Sequence, residues 1–228
     1  MVNPTASGTA TGSTWSGQRL RDALRLYLVT DGPSLKGRTL IDVVQAAVQG
    51  GVTCVQLREK QLCSRDFSAQ AVALMDQLRP FNIPLIINDR LDIALACGAH
   101  GVHLGQSDLP VQAARKLLPP EVFIGWSVET IEDVAHSATL PLDYLGVSPV
   151  FATPTKTDTA TPWGLEGLQR IRAQSALPLV AIGGIQLHNA TQVLQAGAHS
   201  LAVVSAICSA DDPRAASQQF RGLIDAHE

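Results

Sequence analysis

The sequence predicts a single α/β domain that folds as a closed (β/α)8 barrel, the TIM barrel. From Leu24 onward, a short β-branched run, a polar turn and an amphipathic helical stretch follow one another eight times. Near-continuous apolar strands that alternate with helices are typical of a parallel sheet buried on both faces. Eight such units in a chain of 228 residues match a closed barrel, which typically has ~200 to 250 residues.

The eight predicted strands are short apolar runs that lead into polar turns. They read LRLYLVTD, TCVQLRE, PLIIND, GVHLG, VFIGWSV, DYLGVSPV, PLVAIGGI and SLAVVSAI. Between them lie segments of helical period, such as Leu40 to Gln49 and Phe67 to Leu78. Glycines in QGGVT, ACGAHG and QAGAHS end helices and lead into the next strand. An open doubly wound sheet is the alternative, but the first turn after a strand lacks the G-x-G-x-x-G phosphate loop.

Residues 1–22 are predicted to form a flexible extension, and residues 23–228 the barrel. The first twenty residues are rich in Gly, Ser and Thr, a composition that buries too little surface to offset the entropy lost on ordering. They lack the basic start and long apolar run of a signal peptide. We therefore expect a cytoplasmic protein, with reduced thiols at Cys54, Cys63, Cys97 and Cys208, which show no paired metal spacing.

The composition excludes several classes of partner. Hydrophobic residues make up 46% of the chain, which is ample for a core, while the net charge of −3 argues against a nucleic-acid binder. No apolar stretch reaches the ~18 residues of a membrane span. Small molecules are the expected partners, and a homo-oligomer is left open.

Because barrel active sites lie where the strands end, the residues at the carboxyl ends indicate the chemistry. The second strand run, VQLREK, places Gln56, Arg58 and Lys60 near one rim, with Arg58 facing inward beside Gln56. An inward cation needs an anionic ligand or an acidic partner. An internal salt bridge, of Arg58 with Glu59 or another acid, is the alternative.

Two carboxylates are expected on adjacent loops of the same rim. Asp89 ends IIND and Asp108 follows HLGQS, with Asn88 and Gln106 alongside. Magnesium suits such a site, because it takes one or two protein carboxylates and leaves its other positions to water and phosphate. The alternative is helix capping, in which Asp89 and Asp108 each begin the following helix.

The strand run GWSVET contributes Ser127 and Glu129 to the rim. A helix-capping hydroxyl is the alternative role for Ser127. His103 lies inside a strand, where a packed core histidine is as good a reading as a catalytic one. A Ser-His-Asp hydrolase therefore has no clear support.

The ends of the last two strands, AIGGI and VVSAI, indicate a phosphate site. Barrels often bind phosphate with these loops, where small residues expose backbone N–H groups. Gly183 and Gly184 permit a close approach and Ser205 adds a hydroxyl donor. A tight turn with positive φ explains one of the two glycines more easily than both. Two anion-binding zones on one rim suggest a condensation of two phosphorylated substrates, one of which loses diphosphate.

In this order, the stretches VQLREK, NDR, GVHLGQSD, PVFATPTK, AIGGI and VVSAI resemble the thiamine-phosphate synthase family. They extend from Cys54 to Ile207, so the resemblance covers essentially the whole barrel. AIGGI alone occurs in several phosphate-binding barrels, whereas the ordered set is highly specific.

The resemblance implies a transferase that joins hydroxymethylpyrimidine diphosphate to a hydroxyethylthiazole phosphate in thiamine diphosphate biosynthesis. It implies Mg2+ at Asp89 and Asp108, and catalytic roles for Arg58, Lys60, Ser127 and Lys156. The pyrimidine diphosphate would contact Gln56, Leu57, Arg58, Glu59, Lys60, Asn88, Ser127 and Lys156. The thiazole phosphate would contact Thr153, Pro154, Thr155, Gly183, Gly184, Val204 and Ser205.

One position departs from the family pattern. The family often carries GxSxH after the fifth strand, whereas this chain has Glu129 in place of the histidine. A thiazole tautomerase branch shares the fold and uses a histidine in this region as its implied proton carrier. The absence of that histidine argues against the tautomerase, which is kept as an alternative together with another phosphate-binding barrel enzyme and a non-catalytic sensor of thiazole phosphate.

Overall fold

A barrel of eight parallel strands forms the centre of this computed structural model, which describes residues 15–153 and 161–227. Each strand pairs with the next in chain order, and the first pairs with the last through Tyr27 and Ala202. The predicted closed barrel is thereby confirmed and the open sheet is excluded. The strands are β1 Leu26–Val29, β2 Cys54–Leu57, β3 Leu85–Asn88, β4 Gly101–Leu104, β5 Phe123–Val128, β6 Tyr144–Val147, β7 Leu179–Ile182 and β8 Ser200–Val203.

Helices surround the barrel and account for the apolar outer face of its strands. Within the described residues they are α1 Gly17–Leu24, α2 Leu40–Gln49, α3 Ser64–Leu78, α4 Leu91–Cys97, α5 Val111–Leu117, α6 Ile131–Ser137, α7 Gly164–Gln174, α8 Leu187–Gln195, α9 Ser205–Cys208 and α10 Pro213–Asp225. The predicted helix at 40–49 has the observed bounds, and the one predicted from Phe67 begins three residues earlier, at Ser64. No helix in these ranges is long and apolar enough to cross a membrane.

Successive residues of a strand face opposite sides, so the chain has two apolar clusters. Leu26 and Leu28 of β1 point outward and pack with the helices. Tyr27 and Val29 point inward, into a smaller cluster that fills the barrel. This two-sided burial explains why the strand runs are apolar throughout, without the alternation seen in a sheet with one wet face.

Helix α1 corrects the predicted domain boundary. Leu20 and Leu24 are buried and belong to the cluster inside the barrel, with Trp15 packed against it. Arg19 and Arg21 contact Asn82 and His199, which precede strands β3 and β8, so α1 covers the amino end of the barrel. The predicted boundary at residue 22 falls inside this helix. Leu20 and Leu24, four residues apart, give the helix an apolar stripe that packs against the barrel. Residues 1–14 lie outside the described ranges.

The last predicted strand also differs from the observed one. The run from 200 to 207 ends as a strand at Val203, and the chain continues into the short helix α9. Ile207 and Cys208 are buried in the outer cluster, so the apolar pattern continues although the backbone changes from strand to helix. Apolar runs of this length do not distinguish a strand from a short buried helix.

Glycines inside the barrel make room for aromatic rings on the neighbouring strand. Gly125 of β5 pairs with Tyr144 of β6, and a Cβ on Gly125 would overlap the phenol ring. In the same way, Gly101 of β4 lies against the ring of Phe123. A Cβ on Gly146 would lie 2.8 Å from Cε1 of His103. Such contacts leave no space for a methyl group, so these glycines are steric requirements of the interior.

Gly125→Ala is expected to destabilise the barrel, because its methyl group overlaps the Tyr144 ring between two hydrogen-bonded strands. Overpacking of this kind lowers the free energy of unfolding by about 3 kcal/mol, at the upper end of its usual range. Urea denaturation measures the loss. Gly222→Ala is the matched control, since no atom lies within 4 Å of a Cβ there and alanine stabilises a helix interior by about 1 kcal/mol relative to glycine. Equal stabilities of the two variants would contradict the packing argument.

Candidate active site

A cavity of about 510 Å³ lies at the carboxyl end of the barrel. All eight strands contribute to its lining, from Tyr27 on β1 to Ala202 on β8. The loops that follow the strands complete its walls. This is the end of the barrel where the sequence predicted the site.

Most of the predicted site residues meet in this cavity. Those that line it are Gln56, Arg58, Lys60, Asn88, Asp89, Asp108, Ser127, Thr153, Gly183, Gly184, Val204 and Ser205. Glu129 and Gln106, which the sequence placed beside them, line it too. Pro154, Thr155 and Lys156 lie outside the described residues. The predictions for those three residues stay predictions.

Two predicted substrate contacts do not line the cavity. Leu57 faces outward and is fully buried in the cluster between strands and helices. Glu59 lies on the loop after β2. Burial is the main cause that raises the pKa of its carboxyl group, the charge of Asp31 raises it further, and Arg58 lowers it. The strand period explains the correction for Leu57, because neighbours of the inward Gln56 point the other way.

Arg58 has both an acidic partner and a place in the cavity wall. Its guanidinium Nη1 lies 3.4 Å from Oδ1 of Asp31, on the loop after β1. Its backbone N–H donates to Oγ1 of Thr30 (3.0 Å). The internal salt bridge weighed above therefore exists, with Asp31 as the acid. Because both side chains of the pair line the cavity, the pairing does not remove Arg58 from the candidate site.

Asp89 and Asp108 form a carboxylate pair at the rim. Nζ of Lys60 makes a direct ion pair with Oδ2 of Asp89. Oδ2 of Asp108 accepts from the backbone N–H of Gly105 (2.6 Å). Burial raises the pKa of Asp108 and its hydrogen-bonded neighbour Asp89 raises it further, while Gly105 and Lys60 oppose the shift. The contribution of Asp89 to this shift places the two acidic groups close enough to interact, so they repel each other when both are ionised.

The capping alternative for these two aspartates is excluded. Helix α4 has Arg90 as its N-cap and α5 has Pro110, and no side chain caps either helix. Asp89 adopts a left-handed backbone conformation, with φ of 63°, while its N–H donates to the carbonyl of His103 (2.9 Å). Such a conformation is uncommon for a residue with a side chain and persists where the surroundings impose it, often at functional sites.

Ser127 lies next to a histidine from another strand. Nε2 of His103 and Oγ of Ser127 are 2.9 Å apart, and Nδ1 of His103 is 2.9 Å from Oη of Tyr144. The helix-capping role is excluded, since Thr130 caps α6 through a capping box with Asp133. His103 lines the cavity, and a phenol stands where a hydrolase triad has a carboxylate.

Tyr27 and Tyr144 are cavity residues that the sequence interpretation missed. Tyr27 Oη accepts from Nε2 of Gln56 (2.7 Å) and lies 2.9 Å from Tyr144 Oη. Burial raises the pKa of both phenols, so both carry their protons at neutral pH. The strand period did indicate an inward Tyr27, but a tyrosine inside an apolar run is equally typical of a core. Asp31, Ser148 and Gln186 were also missed and line the cavity.

The loop after β7 requires both of its glycines. Gly183 and Gly184 have φ of 99° and 64°. A Cβ on Gly183 would lie 2.6 Å from Cβ of Pro149, and one on Gly184 would lie 2.8 Å from Cβ of Phe151. The expectation that a turn explains only one glycine is wrong. Backbone conformation and the close approach of the loop after β6 explain both, and both still border the cavity together with Val204 and Ser205.

Comparison with known proteins gives a consistent result across the chain. Residues 26–207 match the family model described as thiamine monophosphate synthase. A thiamine-phosphate synthase from Albidiferax ferrireducens is 72% identical over 204 residues, covering 90% of this chain and 93% of that protein. One from Vibrio campbellii is 51% identical, covering 89% of this chain and 99% of that protein.

Among solved structures, a thiamine phosphate pyrophosphorylase from Pyrococcus furiosus superposes with a TM-score of 0.84 and 36% identity. The match covers 91% of this chain and 98% of that one. The model match runs from the first residue of β1 into α9 and so includes every loop that lines the cavity. The chain belongs to the thiamine monophosphate synthase family.

Proposed function

We propose that the protein is a transferase that makes thiamine phosphate. It would join 4-amino-2-methyl-5-hydroxymethylpyrimidine diphosphate to 4-methyl-5-(2-phosphoethyl)thiazole and release diphosphate; with the carboxylated form of that thiazole it would release CO2 as well. One observation carries the proposal. A single cavity has cations and paired carboxylates on one wall, and a glycine and hydroxyl cradle on another.

The diphosphate belongs beside β2, β3 and β5. Arg58 and Lys60 supply positive charge there, Asn88 and Gln56 supply amide groups, and Ser127 supplies a hydroxyl. Arginine and lysine neutralise charge that develops on the oxygens of a departing diphosphate, and this lowers the barrier to its loss. Lys156 is proposed to add a second ammonium group from the loop after β6.

Asp89 and Asp108 are the proposed Mg2+ ligands, and their environment fits that ion. Their acidic groups are close enough to raise the pKa of Asp108, so a divalent cation would relieve a repulsion that Lys60 only partly offsets. The described residues contain no cluster of three or more His, Cys, Asp or Glu side chains suited to a metal. A pair of carboxylates suits Mg2+, which keeps several positions for water and phosphate oxygens and would neutralise the diphosphate.

The thiazole phosphate belongs at the opposite wall, beside β7 and β8. The backbone N–H groups of Gly183 and Gly184 and the hydroxyl of Ser205 are the donors that a phosphate accepts from. Ser205 begins α9, a short extra helix at the position where barrels commonly bind phosphate. Thr153 is on the cavity wall close to these loops, and Thr155 is proposed to extend the same contact.

The proposed reaction breaks the bond between the pyrimidine methylene carbon and the diphosphate oxygen first. The bonding electrons leave with diphosphate, and the methylene cation is stabilised by the electron-rich aminopyrimidine. The thiazole nitrogen then donates its lone pair to that carbon and becomes the thiazolium of thiamine phosphate. No proton has to be removed, so the protein's contribution is to position two substrates and exclude water, which would trap the cation.

All four cysteines of the chain are free thiols, and two of them, Cys54 and Cys208, are buried. Free thiols of this kind are typical of a reducing compartment. This supports the cytoplasm as the proposed location.

Purified protein with both phosphorylated substrates is expected to form thiamine phosphate only when Mg2+ is present, as followed by chromatography. Lys60→Ala, Lys156→Ala and Asp89→Asn are each expected to lower kcat/KM by about a hundredfold, the usual effect of losing one stabilising charge or donor. Lys116→Ala is the matched control, since Lys116 is exposed on α5, away from the cavity. Product formation without Mg2+, or full activity of Asp89→Asn, would contradict the metal assignment.

Asp89→Asn is expected to lower the pKa of Asp108, because it removes a like charge and an acidic hydrogen-bond neighbour. Burial, the first cause of the raised pKa, remains in the variant. Carbon-13 NMR of the carboxyl groups over a pH series measures the change. The pKa of Asp143 serves as the internal control, because burial raises it and Asp89 is not among its causes. An unchanged pKa at Asp108 would show that the two carboxyl groups do not interact.

A further inference from the structure

A chain of four hydrogen bonds crosses the floor of the cavity, and the proposed reaction leaves three of its five members, Tyr27, Tyr144 and His103, without a role. It runs from Gln56 to Tyr27 (2.7 Å), to Tyr144 (2.9 Å), to His103 (2.9 Å) and to Ser127 (2.9 Å). The five side chains come from β2, β1, β6, β4 and β5. Tyr27 and Tyr144 line the cavity but expose almost none of their surface, so their effect on the reaction passes mainly through their neighbours.

The donor at one end of this chain favours one direction. The amide nitrogen of Gln56 only donates, so Tyr27 accepts from it and has one proton left to give. The next two distances fit either direction; in the direction that continues from Gln56, Tyr27 donates to the Tyr144 oxygen and Tyr144 donates to Nδ1 of His103. A neutral imidazole with an accepting Nδ1 carries its proton on Nε2, so in this direction the Nε2–H group donates to Oγ of Ser127.

Ser127 is one end of the chain, and it lines the cavity. In the direction that starts at Gln56, its Oγ accepts from His103 and its own hydroxyl proton is directed elsewhere. Its backbone carbonyl accepts from Nε2 of Gln106 (2.7 Å), which holds the strand in place. The neighbouring residue on β6 is Gly146, where a Cβ would lie 2.8 Å from Cε1 of His103 and 3.6 Å from Oγ of Ser127. The absence of a side chain there lets the His103 ring lie beside the Ser127 hydroxyl.

We propose that Tyr27 and Tyr144 are positioning residues that hold His103 in its Nε2–H form and thereby present the Ser127 hydroxyl to the cavity as a hydrogen-bond donor. The ligand of that donor rests on the proposed function. Diphosphate oxygens accept hydrogen bonds and do not donate them, so only a serine with its proton directed at the ligand stabilises the departing group. The reverse direction would direct the serine proton to His103 and leave only lone pairs facing an anion.

Nitrogen-15 NMR of the imidazole groups tests the first step without any substrate. The signal of His103 is assigned by its loss in His103→Gln, since the chain has six histidines. The protein is expected to show a proton on Nε2 and none on Nδ1. Tyr144→Phe removes the donor to Nδ1 and is expected to shift His103 toward the Nδ1–H form, with a smaller shift for Tyr27→Phe. Ser200→Ala, which removes a buried hydroxyl of β8 outside this chain of hydrogen bonds, is expected to change nothing.

The proposal is overturned if His103 of the unaltered protein carries its proton on Nδ1, or if Tyr144→Phe leaves the tautomer unchanged. Should a variant fail to fold, the measurement on the unaltered protein still decides the direction of the hydrogen bonds.

For the reaction, Tyr144→Phe is expected to lower kcat about tenfold with little change in KM. A shifted tautomer with full kcat would overturn the role in catalysis. Failure to make thiamine phosphate at all would reject the proposed function and leave the tautomer result to stand by itself.

Discussion

Every functional side chain of this protein depends on closing a barrel from very short strands. Seven of the eight strands have four residues, so each contributes only two inward side chains. The first of the two fills the interior, and the second, such as Gln56 or Asn88, borders the cavity. Charged groups such as Arg58 and Asp89 come one or two residues later, on the loops, where solvent reduces the free-energy cost of their charge. Barrel closure alone brings these eight short segments to one rim.

The cations of this rim are already matched by carboxylates. Arg58 pairs with Asp31, and Lys60 pairs with Asp89. Partly buried charges of one sign would cost free energy on folding, whereas each of these two cations has a carboxylate beside it. When a diphosphate with its metal ion binds, diphosphate oxygens would replace the carboxylates as partners of the cations, and the metal ion would replace Lys60 as the partner of Asp89. Asp89 therefore serves both the stability of the wall and the proposed chemistry.

The sequence predicted the barrel and most of its rim because both follow local rules. Strand period and the carboxyl-end rule suffice for Gln56, Asn88 and Gly183, since each conclusion needs only a few neighbouring residues. The hydrogen-bonded phenols were missed because their partners come from strands far apart in the chain. The contact between Tyr27 and Tyr144 joins residues 117 positions apart. Helix α1 was missed for another reason, since the polar composition around it outweighed its few leucines.

The packing of rings against glycines inside the barrel has a consequence for evolution. Gly125 and Tyr144 face each other on paired strands with no room for another carbon atom. A relative that gains a side chain at the first position has to lose ring volume at the second, and with it the phenol. Substitutions at these two positions are therefore expected to occur together across the family. Lineages that keep the tyrosine are expected to retain the glycine too, although Gly125 itself does not line the cavity.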